Sequence, residues 1–495
     1  MKNIFLLSFT LVSLMVSAQQ TNTLLDQDFW KSRPDVAVVK AEIAKGNSAT
    51  AFNPMSFDAT TLAINNDAPN ATIKYLVELD GNGVAKVTHD ARIYLHWAAS
   101  KGNTEIVEYL IAKGSDINMK DSHDTTPAVF AAGNGQNNVA IYESLFKAGL
   151  DIKQKYKDGA NLLLLAIAND KDLSLSNYFV TKGLSFKDTD NNGNTAFNYA
   201  ARGGNISLLK NLLSKGVKYN DNALIIAAQG TRRGANTIEV YKYLIDDLKL
   251  KPTATSNNGE TVLHSLVRKQ NQAEIVSYFL AKGVDVNKAD NEGATALMNA
   301  SGGKDAAIVE LLLPNVKNIN AVNAKSESAL TMAVKNGSAD VVAALLKNGA
   351  DVNIQDKDGN NLAYHLIQSY RPQTGAEKKK DDFGDKMKML QDKGLNFTAI
   401  QKDGSTLYHV AIAKNDVLLL KKLTELKVDV NAKNKASLTA LHKAAMLAKD
   451  DVMLKYLLSV GAKKDITTEF DETAYSLAKE NEFLIKSNVS VDFLK

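Results

Sequence analysis

Residues 90–120 read DARIYLHWAASKGNTEIVEYLIAKGSDINMK and contain two helical patterns, one on each side of Gly102. The first covers Tyr94–Lys101, where two adjacent alanines leave room for a neighbouring helix. The second covers Thr104–Ala112, with apolar side chains at the spacing of one helical face. Glycine readily takes the positive φ that ends a helix. Two helices this short cannot bury their apolar faces alone, so the stretch predicts a repeat that stacks on copies of itself.

The same pattern recurs along the chain. Nine of the twelve intervals between successive copies are 33 to 35 residues. Such a regular period indicates a repeat architecture. The copies are aligned on the position of Leu95, which is occupied in turn by Leu62, Leu95, Ala128, Leu163, Phe197, Leu224, Leu263, Leu297, Leu330, Ala363, Tyr408, Leu441 and Tyr475.

The unit resembles the ankyrin repeat, whose pattern is G-x-T-P-L-H-x-A-A followed by G-H/N, I/V-V, L-L and G-A-D-V-N, with a period of about 33 residues. Residues 349–353 read GADVN, and residues 283–287 read GVDVN. Pro127 stands where an ankyrin proline starts the first helix. The resemblance implies an all-α solenoid of about 12 or 13 helix-turn-helix repeats with short β-hairpin fingers between them.

Three intervals depart from the period. The interval of 27 residues ends at Leu224, and residues 217–223 leave no room for a finger. The next is lengthened by residues 231–235, so we predict an irregularity near residues 217–235. The interval of 45 contains residues 371–385, RPQTGAEKKKDDFGD, which predict a polar loop inside one repeat. Its lysines form either a binding patch or a solvated surface neutralised by the neighbouring acidic residues.

The first 18 residues have the pattern of a signal peptide. Lys2 supplies the positive charge, residues 4–16 are apolar, and residues 16–18 form a small-residue cleavage site. The alternative is a buried first helix. We expect an exported protein, with the periplasm as the favoured location and secretion as the alternative. The predicted organisation is a signal peptide at 1–18, a helical cap at 19–55, ankyrin repeats at 56–466 and a capping repeat at 467–495.

Composition excludes several classes of site and partner. The chain of 495 residues has no cysteine, so disulfides, thiolate metal sites and lipid attachment at a cleavage-site cysteine are excluded. Its net charge of +4 comes from 59 basic and 55 acidic residues. This balance argues against nucleic acid and anionic membranes as partners. We expect a monomer that does not insert into a membrane.

The histidines follow the repeat and predict no catalytic site. His96, His264, His409 and His442 occupy one repeat position, where the resemblance implies hydrogen bonds to the backbone of adjoining fingers. No zinc-protease, nucleophile-elbow or phosphate-loop motif is present. Residues 356–361 resemble a calcium loop, but Ile367 stands where its bidentate carboxylate should be. We predict no catalytic residue, no cofactor and no metal.

The position after this histidine predicts a binding surface. In the ankyrin family, ligands usually dock on the concave side, and the resemblance places this position there. An exposed apolar row tends to mark an interaction site, so we predict a groove that binds an apolar strip of a protein or peptide. The alternative is that these side chains pack between adjacent first helices as core. The predicted partner-binding residues are Ile64, Trp97, Phe130, Leu165, Tyr199 and Ile226. Later repeats carry a mixed set at this position: Ser265, Asn299, Met332, His365, Val410 and Lys443.

The function that follows is a non-catalytic protein-interaction module acting outside the cytoplasm. One alternative is a scaffold that holds several partners. A second, less favoured, is an enzyme whose groups are brought together by the loop at 371–385. Polar contacts would come from finger-tip residues: Lys120, His123, Asn191, Asn258, Asn291, Lys325, Lys357 and Lys402.

Overall fold

The computed structural model describes residues 22–231, 234–372 and 382–495. The predicted signal peptide and the lysine run at 378–380 lie outside these residues. The chain divides into two compact units, the first ending at Tyr219 and the second beginning at Asn220. This boundary lies in the segment where the sequence leaves no room for a finger.

Helices of the first unit come in pairs, in which an odd-numbered first helix is followed by an even-numbered second helix. Their bounds are α1 Gln27–Lys31, α2 Val36–Ala44, α3 Ala59–Asn65, α4 Asn70–Val77, α5 Tyr94–Lys101, α6 Thr104–Ala112, α7 Pro127–Gly133, α8 Val139–Lys147, α9 Leu162–Ala166, α10 Ser174–Thr181, α11 Ala196–Ala201 and α12 Ile206–Ser214.

The second unit continues the same alternation, with one π-helical turn at Tyr243–Asp247 after α14. Its helices are α13 Asn222–Gln229, α14 Ile238–Lys242, α15 Val262–Leu266, α16 Ala273–Ala281, α17 Ala296–Ser301, α18 Ala306–Leu312, α19 Ala329–Asn336, α20 Ala339–Lys347, α21 Leu362–Ser369, α22 Asp382–Asp392, α23 Leu407–Ile412, α24 Val417–Thr424, α25 Ala440–Leu447, α26 Val452–Ser459, α27 Ala474–Glu480 and α28 Glu482–Lys486.

Local sequence signals set the helix ends. Helices α5 and α6 have the predicted bounds. Gly102 ends α5 in the left-handed region at φ 77°. The side chain of Asn103 accepts a hydrogen bond from the amide of Ile106 and so caps α6. Pro127 occupies the first turn of α7, as predicted. The helices of the repeat therefore begin and end where the glycine, asparagine and proline residues predict.

Packing between like helices forms the core of each unit. First helices contact first helices, as in α3–α5–α7, and second helices contact second helices, as in α4–α6–α8. Small buried side chains in the first helices permit this close approach. The all-α fold of stacked helix pairs is confirmed. The alanines that line these contacts include Ala98, Ala99, Ala131, Ala132, Ala200 and Ala201.

The fingers differ from the predicted β-hairpins. Among the described residues, strands are absent, and isolated bridges at finger positions join Val322 to Ser328 and Thr467 to Thr473. Each finger is a tight five-residue turn held by backbone hydrogen bonds within it, as from Asp121 to Thr125 and from Asp124 to Asp121, and is too short for a ladder of strand pairs. The fingers are therefore turns rather than hairpins.

The last four residues of the predicted loop at 371–385 are helical, and residues 373–381 of it lie outside the described residues. Helix α22 begins at Asp382, whose carboxylate Oδ1 accepts a hydrogen bond of 2.8 Å from the amide of Ala339 at the start of α20. One turn later, the Nζ of Lys386 donates to the Gly337 carbonyl at the end of α19, at 2.5 Å. Burial lowers the pKa of Lys386. These two side chains anchor the start of α22 to the preceding repeat.

This anchor gives a stability prediction. Replacing Lys386 with methionine keeps the length of the side chain but leaves buried carbonyls unpaired, and should cost about 1–3 kcal/mol of unfolding free energy. Thermal or urea unfolding of the purified protein measures the change. The matched control is Lys388→Met, because the Lys388 side chain is 77% exposed. An equal effect of the two substitutions would contradict the anchoring role.

Candidate functional site

Each finger is closed by a backbone hydrogen bond between its first and fifth residues. In the first unit, the amide of Asp121 donates to the carbonyl of Thr125 at 3.0 Å. In the second unit, the amide of Asp290 donates to Ala294 at 2.9 Å. The Asp121 carboxylate also accepts the Thr125 amide, at 2.9 Å. This double closure holds the tip of the turn in one conformation.

Neighbouring finger tips are joined by a second backbone hydrogen bond. The donor is the amide of the second residue of one turn, and the acceptor is a carbonyl near the tip of the preceding turn. Six such bonds, between 2.7 and 2.9 Å, are Ser122 to Asp90, Asn191 to Asp158, Asn291 to Asn258, Ala324 to Glu292, Lys357 to Lys325 and Lys435 to Asp403. These bonds fix the position of one tip against the next at each of the six junctions where they occur.

The four repeat-position histidines also reach the fingers, which confirms the predicted structural role. Each Nε2 lies within hydrogen-bonding distance of a carbonyl in the next finger or just before it. The contacts are His96 to Thr125 at 3.1 Å, His264 to Ala294 at 3.1 Å, His409 to Leu438 at 2.8 Å and His442 to Ile466 at 3.0 Å.

The other ring nitrogen fixes the tautomer. Nδ1 of His409 accepts the amide of Thr406 at 3.1 Å, so Nε2 must carry the proton that it donates to the carbonyl. His264 and His442 make the same pair of contacts with Thr261 and Thr439. Because both ring nitrogens form hydrogen bonds with backbone groups, these rings connect the first helix of one repeat to the finger of the next.

The six predicted partner-binding residues do not form the expected exposed row. Ile64 and Ile226 are buried at 2% and 6% exposure, and Trp97 and Phe130 each at 8%. Leu165 and Tyr199 are half-buried. The alternative, packing as core, describes the first four residues. A binding role for the six stays a prediction, and Leu165 and Tyr199 are the members that retain exposed surface.

Arg92 explains the burial of the two aromatic rings. Its guanidinium lies 4.2 Å from the ring centroid of Phe130 and 5.1 Å from that of Trp97. It also donates to the carboxylates of Asp121 at 2.8 Å and Asp90 at 2.9 Å. Such a cation held between aromatic faces is favourable when desolvated. The rings therefore cover an ion pair between Arg92 and the two aspartates.

A different surface in the second unit has the form of a binding site. An open groove of about 520 Å³ lies where three first helices, α21, α23 and α25, meet their fingers. Ligand sites commonly have volumes of about 300–1,000 Å³. Helix α21 contributes Tyr364 and Gln368, α23 and its C-cap contribute Val410 and Ala413, α25 contributes Lys443, and the fingers contribute Asp358, Lys402, Asp403, Ser405 and Lys435.

The three groove lysines lack ion-pair partners among the described residues. By contrast, the Asp403 carboxylate accepts hydrogen bonds from the amide and hydroxyl of Ser405, at 2.9 and 2.8 Å. Burial alone would raise the pKa of Asp403. The hydrogen bonds from Ser405 and the charge of Lys443 lower it by more, so the pKa lies below its ordinary value. The groove thus presents three lysines without ion pairs in the described part of the chain, beside a carboxylate that accepts two hydrogen bonds from Ser405.

Sequence reasoning missed the groove as a unit. Lys402 was predicted as a finger-tip contact, and Lys443 as one of the mixed later residues. One pattern in the sequence could have indicated the groove. Three successive fingers carry a lysine at their second turn position, at Lys357, Lys402 and Lys435. The insertion at 371–385 obscures that register, because it separates the first two tips by 45 residues.

Comparison with known families agrees with this architecture. The profile described as "Ankyrin repeats (3 copies)" matches overlapping segments that together span residues 36–356, and "Ankyrin repeats (many copies)" matches residues 408–462. These matches cover most of the chain. The chain belongs to the ankyrin-repeat family.

Relatives of this ankyrin-repeat chain are larger proteins with differing names. Human transient receptor potential cation channel subfamily A member 1 is 30% identical over 78% of this chain and 35% of its own length. The Arabidopsis thaliana E3 ubiquitin-protein ligase KEG is 22% identical over 62% of this chain and 21% of its own. Caenorhabditis elegans ankyrin repeat and KH domain-containing protein mask-1 is 26% identical over 53% of this chain and 10% of its own. The chain thus spans between a tenth and about a third of these three relatives.

Ankyrin repeats are generally protein–protein interaction modules, so the family implies a protein partner. The histidines and alanines belong to the ankyrin pattern, whereas the groove lysines do not. Within the described ranges, no helix is long and apolar enough to cross a membrane. In the same ranges, no three His, Asp or Glu side chains are arranged to hold a metal ion.

Buried histidines predict that acid destabilises the fold. Burial lowers the pKa of His96, His365, His409 and His442 from the ordinary value of 6.5. The folded state therefore favours neutral rings, and its stability is full above 6.5 and falls as the pH decreases toward the lower folded-state pKa. Each such ring contributes a slope of up to about 1.4 kcal/mol per pH unit.

Unfolding at about pH 7.5 and about pH 5.5 measures this slope, which His409→Gln should reduce. The control is His123→Gln, because the His123 side chain is 63% exposed. If His409→Gln left the pH dependence unchanged, the assigned role of the buried ring would be wrong.

Proposed function

We propose that this ankyrin-repeat protein is a non-catalytic module that binds a protein partner outside the cytoplasm. The observation that carries the proposal is the open groove of the second unit, with its unpaired lysines on an ordered finger surface. Ordered polar groups can bind without the entropic cost of immobilising a loop. The groove therefore supports recognition of a partner segment.

The matched relatives support binding rather than catalysis. One is named a cation channel, another a ubiquitin ligase and the third a KH-domain protein, and the chain matches only part of each. The repeat is what they have in common with this chain. A shared element in proteins with such different names is most simply explained as a recognition element.

Export is supported by the sequence of the first 18 residues. Lys2, the apolar run at 4–16 and the small residues at 16–18 have the order of a signal peptide. We therefore propose that the partner is met in the periplasm or in the medium.

A multi-partner scaffold is a second candidate function, favoured by the two compact units. The second unit carries the lysine groove. The first has partly exposed Leu165 and Tyr199 at its predicted binding positions. Each unit on this account binds a different partner, and capture by separate variants of the two surfaces distinguishes them.

A steric block tests binding at the groove. Ala413 is exposed and lines the groove, so Ala413→Trp should fill it without altering its charge. Full-length protein is captured from the extracytoplasmic fraction after cross-linking, and the proteins recovered are identified by mass spectrometry. A partner recovered with the unmodified protein should be lost with Ala413→Trp.

The matched control is Ala281→Trp, which introduces the same ring on an exposed position at the end of α16. Circular dichroism establishes that both variants are folded. Recovery of the same proteins with both variants would refute binding at this groove.

A further inference from the structure

We propose that the groove of the second unit binds an acidic peptide segment in a polyproline II conformation, with a carboxylate at every third residue. This inference rests on the proposed binding function and adds the chemical class of the partner. It is carried by the chemistry and the register of the groove residues.

The groove offers donors for carboxylates. Lys402, Lys435 and Lys443 line it, and none forms an ion pair with any described residue. Tyr364 and Gln368 add a hydroxyl and an amide whose side chains make no hydrogen bond in the described part of the chain. Charge-assisted bonds from ammonium groups to carboxylates are stronger than bonds between neutral groups. An acidic segment would therefore satisfy groups that the fold leaves available.

The acidic groups of the groove offset only part of this charge, because three lysines and two aspartates line it. Both oxygens of Asp403 already accept hydrogen bonds from Ser405. Asp358 is the other groove carboxylate, and its neighbour Lys357 is an exposed cation on the same finger tip. Three lysines therefore alternate with three aspartates along these fingers, and the fourth lysine, Lys443, lies on α25 behind them. Asp356 faces His365 at 3.0 Å.

Register sets the spacing of the ligand charges. Lys402 and Lys435 hold the same position in adjacent fingers, and the helices behind them, α23 and α25, pack together. Packed helices lie about 8–10 Å apart. A polyproline II segment has three residues per turn and rises about 3.1 Å per residue, so residues i and i+3 point the same way about 9 Å apart. Acidic residues at every third position would meet successive lysines.

A peptide fits this surface better than a nucleic acid. The carboxylates of Asp358 and Asp403 lie on the same tips as the lysines and would repel a phosphate backbone. Proteins that bind single strands also use aromatic side chains as stacking platforms, whereas Tyr364 is the aromatic side chain of this groove. A peptide can place neutral residues opposite the aspartates.

The test measures binding by fluorescence anisotropy with the full chain and three labelled peptides. The first has four Glu-Pro-Ala units, the second replaces each glutamate with glutamine, and the third has the composition of the first with its glutamates in one block. We expect the first to bind, with an affinity that falls as salt rises, and the other two to bind about tenfold more weakly or not at all.

Matched variants locate the site. Lys402→Ala, Lys435→Ala and Lys443→Ala together should weaken binding of the first peptide about tenfold. The control combines Lys393→Ala, Lys421→Ala and Lys463→Ala, three exposed lysines outside the groove whose removal changes the net charge equally. It should leave the affinity within about twofold of the unmodified protein.

Three results would overturn the inference: no binding of the first peptide, equal binding of the block peptide, or equal losses in the two triple variants. Tighter binding of labelled oligothymidylate than of the first peptide would also overturn it, in favour of a nucleic-acid partner. If the peptide fails while a protein is still lost from Ala413→Trp, the acidic class of partner is wrong and the proposed binding function stands.

Discussion

The backbone hydrogen bond between neighbouring finger tips is the constraint on which the rest of the structure depends. A single repeat has two short helices and cannot bury both apolar faces by itself. The tip bond, as from Ser122 to Asp90, sets the register between one repeat and the next. The histidine of the first helix adds a second bond to the same finger, as from His96 to Thr125. Together they place the first helices close enough for small side chains to pack.

The sequence predicted the parts of the fold that depend on local residues, such as those that begin or end a helix. Gly102 and Pro127 end and begin helices where expected, and the repeat-position histidines reach the predicted fingers. The insertion was less predictable. Its polar composition indicated a loop, but Asp382 and Lys386 act through bonds to a preceding repeat that the sequence does not reveal. These contacts join residues 43 and 49 positions apart, and such contacts are set by stacking, not by neighbouring residues.

The candidate binding residues show the same limit. Periodicity placed Trp97 and Phe130 at the correct repeat position but could not show that Arg92 lies against both rings. A guanidinium removed from water is stabilised by contact with aromatic faces, and these two rings provide that contact. Conversely, the groove lysines look like ordinary solvated finger residues in the sequence. Only the stacked fingers bring Lys402, Lys435 and Lys443 to one surface.

Scaffold and recognition thus use different residues of the same repeat. The alanines, histidines and turn-closing residues form the contacts between repeats, and their identity does not indicate a partner. Two kinds of position have side chains that the contacts between repeats do not require. They are the second residue of each finger turn and the exposed side of each first helix. In the second unit, three successive turn positions carry lysine, at Lys357, Lys402 and Lys435. In the first unit, the first-helix residues Ile64, Trp97 and Phe130 are covered by packing.

Residue-resolved hydrogen exchange is the measurement that tests this account most directly. Ser122, Asn291 and Lys435 are exposed turn residues, yet their amides donate to the preceding finger. The account predicts that these amides exchange at least about a hundredfold more slowly than that of Lys120, which has no backbone acceptor among the described residues. Exchange of all four amides at the same rapid rate would contradict the claim that bonded fingers hold the repeats in register.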